Sequence, residues 1–262
     1  MRVMDNPALL ALATALAADA ARLILAVRAR GFAVTRKEDF SPVTEADRAA
    51  EALITKGLRA ATPEIPVIAE EEVAAGRITA IGGRFWLVDP LDGTREFAAG
   101  DAAFTVNIGL VADGAAILGA VAVPASGEMF GGIVGAGAWK RQNGAQHPIA
   151  TRAPPPEGLV VLASRHHDDD PALAAVLAGK PIAAIEKLGS AVKFCRLAEG
   201  RADFYPRLGP TMEWDTAAPQ AVLEAAGGAV LDAAGAPLRY GKPGFFNPPF
   251  FCHGRAPAPP PR

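Results

Sequence analysis

Four apolar residues, Phe85-Trp86-Leu87-Val88, run without a break into Asp89-Pro90-Leu91-Asp92-Gly93-Thr94. No other stretch limits so sharply what this chain can fold into. A short apolar run bounded by Arg84 and Asp89 reads as a buried strand. Pro90 has a fixed φ and no N–H for a ladder, so the strand is expected to end there. Gly93 permits positive φ, and Thr94-Arg95-Glu96-Phe97-Ala98-Ala99 can then begin a helix. The turn therefore presents two carboxylates, the Leu91 carbonyl, the Thr94 hydroxyl and a helix N-terminus. Hard cations take oxygen ligands, and anions take N–H donors at helix starts. The same residues would also make an ordinary Asp-rich turn with an N-cap, so other segments have to decide.

Composition narrows the class. The 262 residues, half of them hydrophobic, suffice for one large core or two fused lobes. A net charge of −2 offers no basic surface for nucleic acid. Cys195 and Cys252 lie far apart, in no metal-like spacing, which argues against a disulfide framework and fits a reducing cytoplasm. The apolar Pro7–Ala18 stretch behind Arg2 faintly looks like an export signal, but it is too short to span a bilayer. Leu9, Leu12, Leu16, Leu23 and Val27 instead suit one face of a packed helix of about 24 residues, ended by Gly31. No integral membrane segment is expected.

Farther along, Phe32–Val34 is a candidate strand. Thr44 and Asp47 form a capping-box variant opening a helix to about Arg59. Pro66–Ala69 reads as a strand, with the acidic run Glu70-Glu71-Glu72 at its end. Charge runs are usually solvated, yet strand ends are where α/β proteins gather ligands. Phe104–Val111 and Ala115–Val123 flank the hairpin turn Asp113-Gly114. Glu128–Val134, Trp139 and the turn Asn143-Gly144 extend an antiparallel meander. Ala153–Gly158, rich in proline, is the expected boundary between an α+β lobe (1–152) and an α/β lobe (153–255), with a disordered tail at 256–262. In the second lobe, strands 159–163, 182–186, 202–205 and 229–231 alternate with helices 170–177, 190–198 and 216–226. Asp215 sits where an N-cap would.

Asp89-Pro90-Leu91-Asp92-Gly93-Thr94 resembles the D-P-[LI]-D-G-T signature of the Mg²⁺-dependent, lithium-sensitive phosphatases, the inositol monophosphatase superfamily. Ser41-Pro42-Val43-Thr44-Glu45-Ala46-Asp47, the acidic run and Trp214-Asp215-Thr216-Ala217-Ala218 resemble further motifs of that superfamily, so the likeness covers nearly the whole chain. It implies a layered sugar-phosphatase sandwich, α+β and α/β, whose antiparallel lobe adjoins an α/β lobe. It implies two or three Mg²⁺ ions held by Glu70, Asp89, the Leu91 carbonyl, Asp92 and Asp215. The run leaves the register open: Glu70 is the bridging ligand when aligned on Ile68-Ala69-Glu70-Glu71, and Glu71 is then an outer or third-metal residue. Asp47 and Thr94 are implied to activate water, with Gly93 and Thr94 N–H groups holding the phosphate. No phosphoenzyme is implied.

Gly189-Ser190-Ala191-Val192-Lys193-Phe194-Cys195 and Tyr205-Pro206-Arg207-Leu208-Gly209-Pro210-Thr211 are similar to motifs of the bisphosphate nucleotidase branch, with Ala191 in place of a second serine. Through that likeness Gly189, Ser190, Lys193, Arg207 and His167 are candidate substrate contacts, Lys193 and Arg207 for a second phosphate. As bare sequence, both cations are ordinary solvated side chains. The implied reaction is hydrolysis of adenosine 3',5'-bisphosphate to AMP and phosphate, in the cytoplasm or peripherally at the inner membrane, as part of sulfate assimilation. An inositol-1-phosphate or other small phosphomonoester phosphatase shares every metal ligand. A non-catalytic metal or nucleotide sensor is the reading from another class. Oligomeric state is not legible.

Overall fold

The computed structural model describes residues 4–36, 42–165 and 171–255. Ser41, His167 and the 256–262 tail lie outside the described residues. In chain order the elements are α1 (Asn6–Arg30), β1 (Val34–Arg36), β2 (Pro42–Thr44), α2 (Glu45–Ala61), β3 (Val67–Ala69), α3 (Glu70–Ala74), β4 (Arg84–Asp92), α4 (Thr94–Ala98), β5 (Thr105–Ala112), β6 (Ala115–Val123), β7 (Glu128–Ile133), β8 (Gly137–Gln142) and β9 (Ala145–Ile149). There follow β10 (Leu159–Ser164), α5 (Pro171–Leu177), β11 (Ile182–Leu188), α6 (Val192–Ala198), β12 (Phe204–Arg207), β13 (Thr211–Met212), α7 (Glu213–Ala225), β14 (Ala229–Asp232), β15 (Phe246–Asn247) and β16 (Phe250–His253).

A seven-stranded sheet in the order β3-β4-β5-β6-β7-β8-β9 carries helices on both faces. β3 and β4 are parallel, and the other pairs are antiparallel. The unbroken apolar run of β4 follows from this layering. Trp86 and Val88 join the core under α1 and α2, while Phe85 and Leu87 join Trp214, Ala217 and Ala221 of α7 on the other face. A strand with two buried faces has no position for alternating polar residues. A five-stranded sheet, β11-β10-β12-β16-β14, stands beyond α7 and α6. The layered mixture is the fold class expected.

Three glycines let α7 lie almost on the sheet. A Cβ at Gly119 would stand 2.2 Å from the Ala218 carbonyl oxygen, and Gly109 and Gly132 meet α7 at similarly short range. α1 is long and apolar enough by composition to cross a membrane. It is nevertheless packed on α2 and the sheet, and the face it buries differs from expectation. Leu9, Leu10, Ala13, Ala17, Ala20, Ile24 and Val27 are the deepest, whereas Leu12, Leu16 and Leu23 flank them. Small alanines allow close approach, and the leucines beside them pack at the margins. Leu16 does so against Gly57, where a Cβ would be 2.4 Å from its Cδ2.

Both hairpins form where the turn residues place them. Asp113 and Gly114 have φ of 49° and 74°, and Asn143 and Gly144 have 51° and 80°, the pair of positive values a two-residue hairpin requires. Three expectations are corrected. β4 does not stop at Pro90 but continues to Asp92 through a bulge. The first small strand is Val34–Arg36 and not 32–34. α7 begins at Glu213, so Asp215 is not the N-cap. It lies a turn inside, at the third helical position.

Candidate active site

The bulge in β4 builds the centre of the site. Residues three apart on a regular strand face opposite ways. Here Asp89 opposes Asn107 and Asp92 opposes Thr105, so three steps on β4 match two on β5. The extra residue at Pro90-Leu91 turns Asp89 and Asp92 to the same face of the sheet. Asp89 Oδ1 accepts the Leu91 N–H at 3.0 Å. The Leu91 carbonyl accepts the Thr94 hydroxyl at 3.1 Å, leaving it one further lone pair. Asp92 Oδ2 accepts the Ala191 N–H at 2.5 Å, which joins the end of β4 to the segment before α6.

Asp47 does two jobs with two oxygens. Oδ2 accepts the Thr44 N–H at 2.8 Å and the Thr44 hydroxyl at 2.6 Å, completing the capping box of α2. Oδ1 faces the Thr94 hydroxyl at 3.1 Å. Burial raises the Asp47 pKa, against the lowering effect of the Thr44 hydrogen bonds. Gly93, at φ 90°, is the N-cap of α4. A Cβ there would approach the Ala103 carbonyl oxygen to 2.9 Å, so the turn has room only for glycine.

The acidic run at 70–72 begins α3 and divides three ways. Glu72 turns outward to a bidentate pair with Arg59. Glu71 donates its N–H to Glu51 Oε2 at 2.7 Å, and its charge acts on Asp47. Glu70 lines the cleft, and its charge acts on Asp89 and Asp215. Glu70 therefore lies on the Asp89–Asp215 side and Glu71 on the Asp47 side. Asp215 reaches the same place from α7, its Oδ2 accepting the Met212 N–H at 2.8 Å.

Burial pushes the Asp89 carboxyl well above its ordinary range, and the charges of Glu70, Asp92 and Asp215 push it further. Asp215 rises for the same reasons, with Asp92 and Glu70 as its repelling neighbours. Asp92 is raised by burial although Lys193 pulls it down. These carboxylates stand within electrostatic reach, but among the described residues no group of three His, Cys, Asp or Glu is gathered as a ready-made metal cluster. The donor set is nevertheless what a hard divalent cation takes, all oxygen and strongly negative. Buried Asn107, opposite Asp89, leaves both atoms of its side-chain amide without a hydrogen-bond partner. A cation with its bound water would fit both observations.

The far wall is made of the segment before α6 and of β12. Lys193 is buried, contrary to its reading as a solvated cation. Its Nζ donates to the Ser190 carbonyl at 2.7 Å and the Leu188 carbonyl at 3.1 Å, and burial lowers its pKa to about 8. It thereby holds Ser190 in a left-handed turn at φ 49°. Gly189 packs so closely that a Cβ would lie 2.7 Å from Glu96 Oε1. Arg207 donates to Ser164 Oγ and the Pro210 carbonyl, each at 2.9 Å. Glu70, Asp92, Asp215, Lys193 and Arg207 all line one cleft of about 740 Å³. His167 lies outside the described residues.

Several site residues were not anticipated from sequence. Glu51, pushed up to about 7 by burial and by the neighbouring acidic run, lies four residues after Asp47 on α2, a spacing that could have revealed it. Fully buried Glu213 accepts the Gly241 and Lys242 N–H groups at 2.8 and 2.9 Å. No local pattern marks it or Asn107.

A mixed sheet between helix layers, with carboxylates from β4, α3 and α7 lining one cleft, defines a phosphatase-like α/β sandwich. Residues 5–254 match the inositol monophosphatase family, and the chain belongs to it. It is 45% identical over 217 residues to the 3'(2'),5'-bisphosphate nucleotidase CysQ of Salmonella typhimurium, covering 82% of this chain and 86% of that protein. The Escherichia coli K12 protein of the same name is 45% identical over 219 residues, covering 83% and 87%. The crystal structure of CysQ from Bacteroides thetaiotaomicron, a bacterial member of the family, superposes with a TM-score of 0.78 at 34% identity, covering 94% of this chain and 97% of that one.

Proposed function

We propose that this chain is a Mg²⁺-dependent 3'(2'),5'-bisphosphate nucleotidase that releases phosphate from adenosine 3',5'-bisphosphate and leaves AMP. The observation that carries the reading is the convergence of Glu70, Asp92 and Asp215 in one cleft over Asp89, with the Asp47–Thr94 pair beside them. Glu70, Asp89, the Leu91 carbonyl, Asp92 and Asp215 would hold two Mg²⁺ ions, and Glu71 would take part in a third. When bound, such ions neutralise the carboxylates, polarise the phosphoryl group and acidify water.

The chain's own groups do the rest. Thr94 Oγ1 shares its proton with Asp47 Oδ1 and the Leu91 carbonyl, so its lone pairs are free to accept a hydrogen bond from the attacking water. Asp47, with its pKa raised by burial, is the better proton acceptor for it. Water attacks phosphorus in line and gives its proton toward Asp47, the P–O3' bond breaks, and the leaving 3'-oxygen takes up a proton by way of solvent, so that the proton count closes. Backbone N–H groups of Gly93 and Thr94 hold phosphate oxygens. Gly189 and Ser190 shape the wall, and Arg207 faces the second phosphate. Lys193, committed to two carbonyls, supports that wall and adds its charge. Similarity to proteins named 3'(2'),5'-bisphosphate nucleotidase supports the bisphosphate as substrate over an inositol phosphate. The setting is cytoplasmic, in turnover of a by-product of sulfate assimilation.

The test is phosphate release in Mg²⁺ from adenosine 3',5'-bisphosphate against inositol 1-phosphate, with and without lithium. Preference for the bisphosphate with lithium inhibition is expected. Preference for inositol 1-phosphate would keep the metal site and overturn the substrate. Activity on neither would favour a sensor.

A further inference from the structure

We propose that Phe246 is the face on which the cleft stacks the nucleobase of its substrate, an inference that rests on the nucleotidase reading and adds to it the group that selects for a base. Phe246 is 62% exposed, the most exposed large hydrophobic side chain among the described residues, and it lines the cleft with Glu70, Asp92, Asp215 and Arg207. Water contact disfavours such a ring, so its exposure at the mouth of a charged cleft calls for a partner with an apolar face.

The backbone holds it there firmly. Phe245, just before it, takes a left-handed φ of 60°, which a bulky residue adopts only under constraint. Its ring is buried 5.9 Å from that of Trp214. Asn247, just after it, points its amide nitrogen at the Met212 carbonyl, Thr216 Oγ1 and Thr211 Oγ1, at 2.8, 3.0 and 3.2 Å. β15 pairs with β13 in the register Met212–Phe246, and Glu213 ties down Gly241 and Lys242 upstream. The ring is thus flanked by two anchored residues on the unit that begins α7 and carries Asp215. Among the described residues, the cleft's other aromatic rings cannot serve. Phe194, Tyr205 and Phe250 are buried and packed on one another, and Trp214 is buried against Phe245.

A flat heteroaromatic base stacks on such a ring whatever its edge groups, whereas a cyclitol presents no π-face. The experiment compares the full-length wild type with Phe246→Ala and Phe246→Trp in Mg²⁺. It measures kcat and KM for adenosine 3',5'-bisphosphate, and inhibition by the products AMP, which has a base, and inorganic phosphate, which has none. Phe246→Ala should raise KM for the bisphosphate and the inhibition constant of AMP by about five- to a hundredfold. It should leave kcat within about twofold and phosphate inhibition unchanged, with Phe246→Trp restoring the wild-type values. AMP and phosphate inhibition weakening together, or neither changing in a wild type that prefers the bisphosphate, overturns the stacking role alone. A wild type that prefers inositol 1-phosphate overturns the nucleotidase reading and this role with it.

Discussion

Glu128, Lys140, Arg196 and Glu199 form a buried network of two cations and two anions, whereas Glu70, Asp89, Asp92 and Asp215 bring four anions toward one cleft. In the first, Lys140 Nζ lies 2.5 Å from Glu128 and 2.8 Å from Glu199, and Arg196 reaches both at 2.6–2.9 Å. Burial alone would raise the Glu128 pKa, but hydrogen bonds from Arg196, Lys140 and Ser126 outweigh it and bring it to about 2. In the second, burial raises Asp89 and Asp215, and the neighbours are carboxylates that raise them further. The same side-chain chemistry shifts opposite ways because one cluster is balanced internally and the other requires a partner from outside. The balanced cluster ties α6 to β7 and β8. The unbalanced one is the site we propose for the chemistry.

The contrast can be broken by mutation. Asp92→Asn should lower phosphate release by orders of magnitude while circular dichroism and solubility stay native. Wild-type turnover in that variant would remove the metal mechanism. Thr94→Val should cost about a hundredfold or more in kcat yet leave Mg²⁺ affinity, measured calorimetrically, unchanged. Lost Mg²⁺ binding would mean that Thr94 is misassigned. Arg196→Ala should act on stability instead. It leaves two buried carboxylates with one cation, and denaturant unfolding should show a loss of about 3–5 kcal/mol, with turnover near normal where the protein remains folded.

Acid titration separates the clusters by sign. Glu128 is depressed from 4.5 to about 2, so its stabilising effect is complete above the unfolded pKa and is lost as pH falls from 4.5 toward 2. Asp89 and Asp215 are raised, so in metal-free protein their effect has the opposite slope, and stability increases as pH falls through their elevated values and they become neutral. Thermal melts of Glu128→Gln should lose the first slope and keep the second. The smallest effect expected is in metal-free Asp89→Asn, where relief of repulsion should raise Tm by about 2–4 °C for each kcal/mol gained. A fall in Tm would mean that the ionised carboxylate stabilises the fold by itself.

Much of this architecture is carried locally. Asp113-Gly114 and Asn143-Gly144 specify their hairpins because a few residues with positive φ suffice, and Thr44 with Asp47 specifies the start of α2 within one turn. β15 and β16 were not foreseen, since Pro248 and Pro249 interrupt the segment and their pairing partners, β13, β12 and β14, are distant in sequence. The sequence pattern starts α7 at Thr216 whereas the helix starts at Glu213, because Glu213 looks like a surface residue until Gly241 and Lys242 fold onto it.

By itself the sequence determined the identity of the acidic and hydroxyl groups, the turn at Gly93, the buried character of β4 and the hairpins, all of which follow from residue type and short-range backbone geometry. Tertiary structure alone decided which face each group would take. The bulge at Pro90-Leu91 needs β5 as its reference, since parity along a strand has meaning only against a partner. The inward course of Asp215 needs Gly109, Gly119 and Gly132 to let α7 close on the sheet. The burial of Lys193 and the exposure of Phe246 depend on segments far away in the chain, because desolvation is a property of surroundings and no single residue encodes its own.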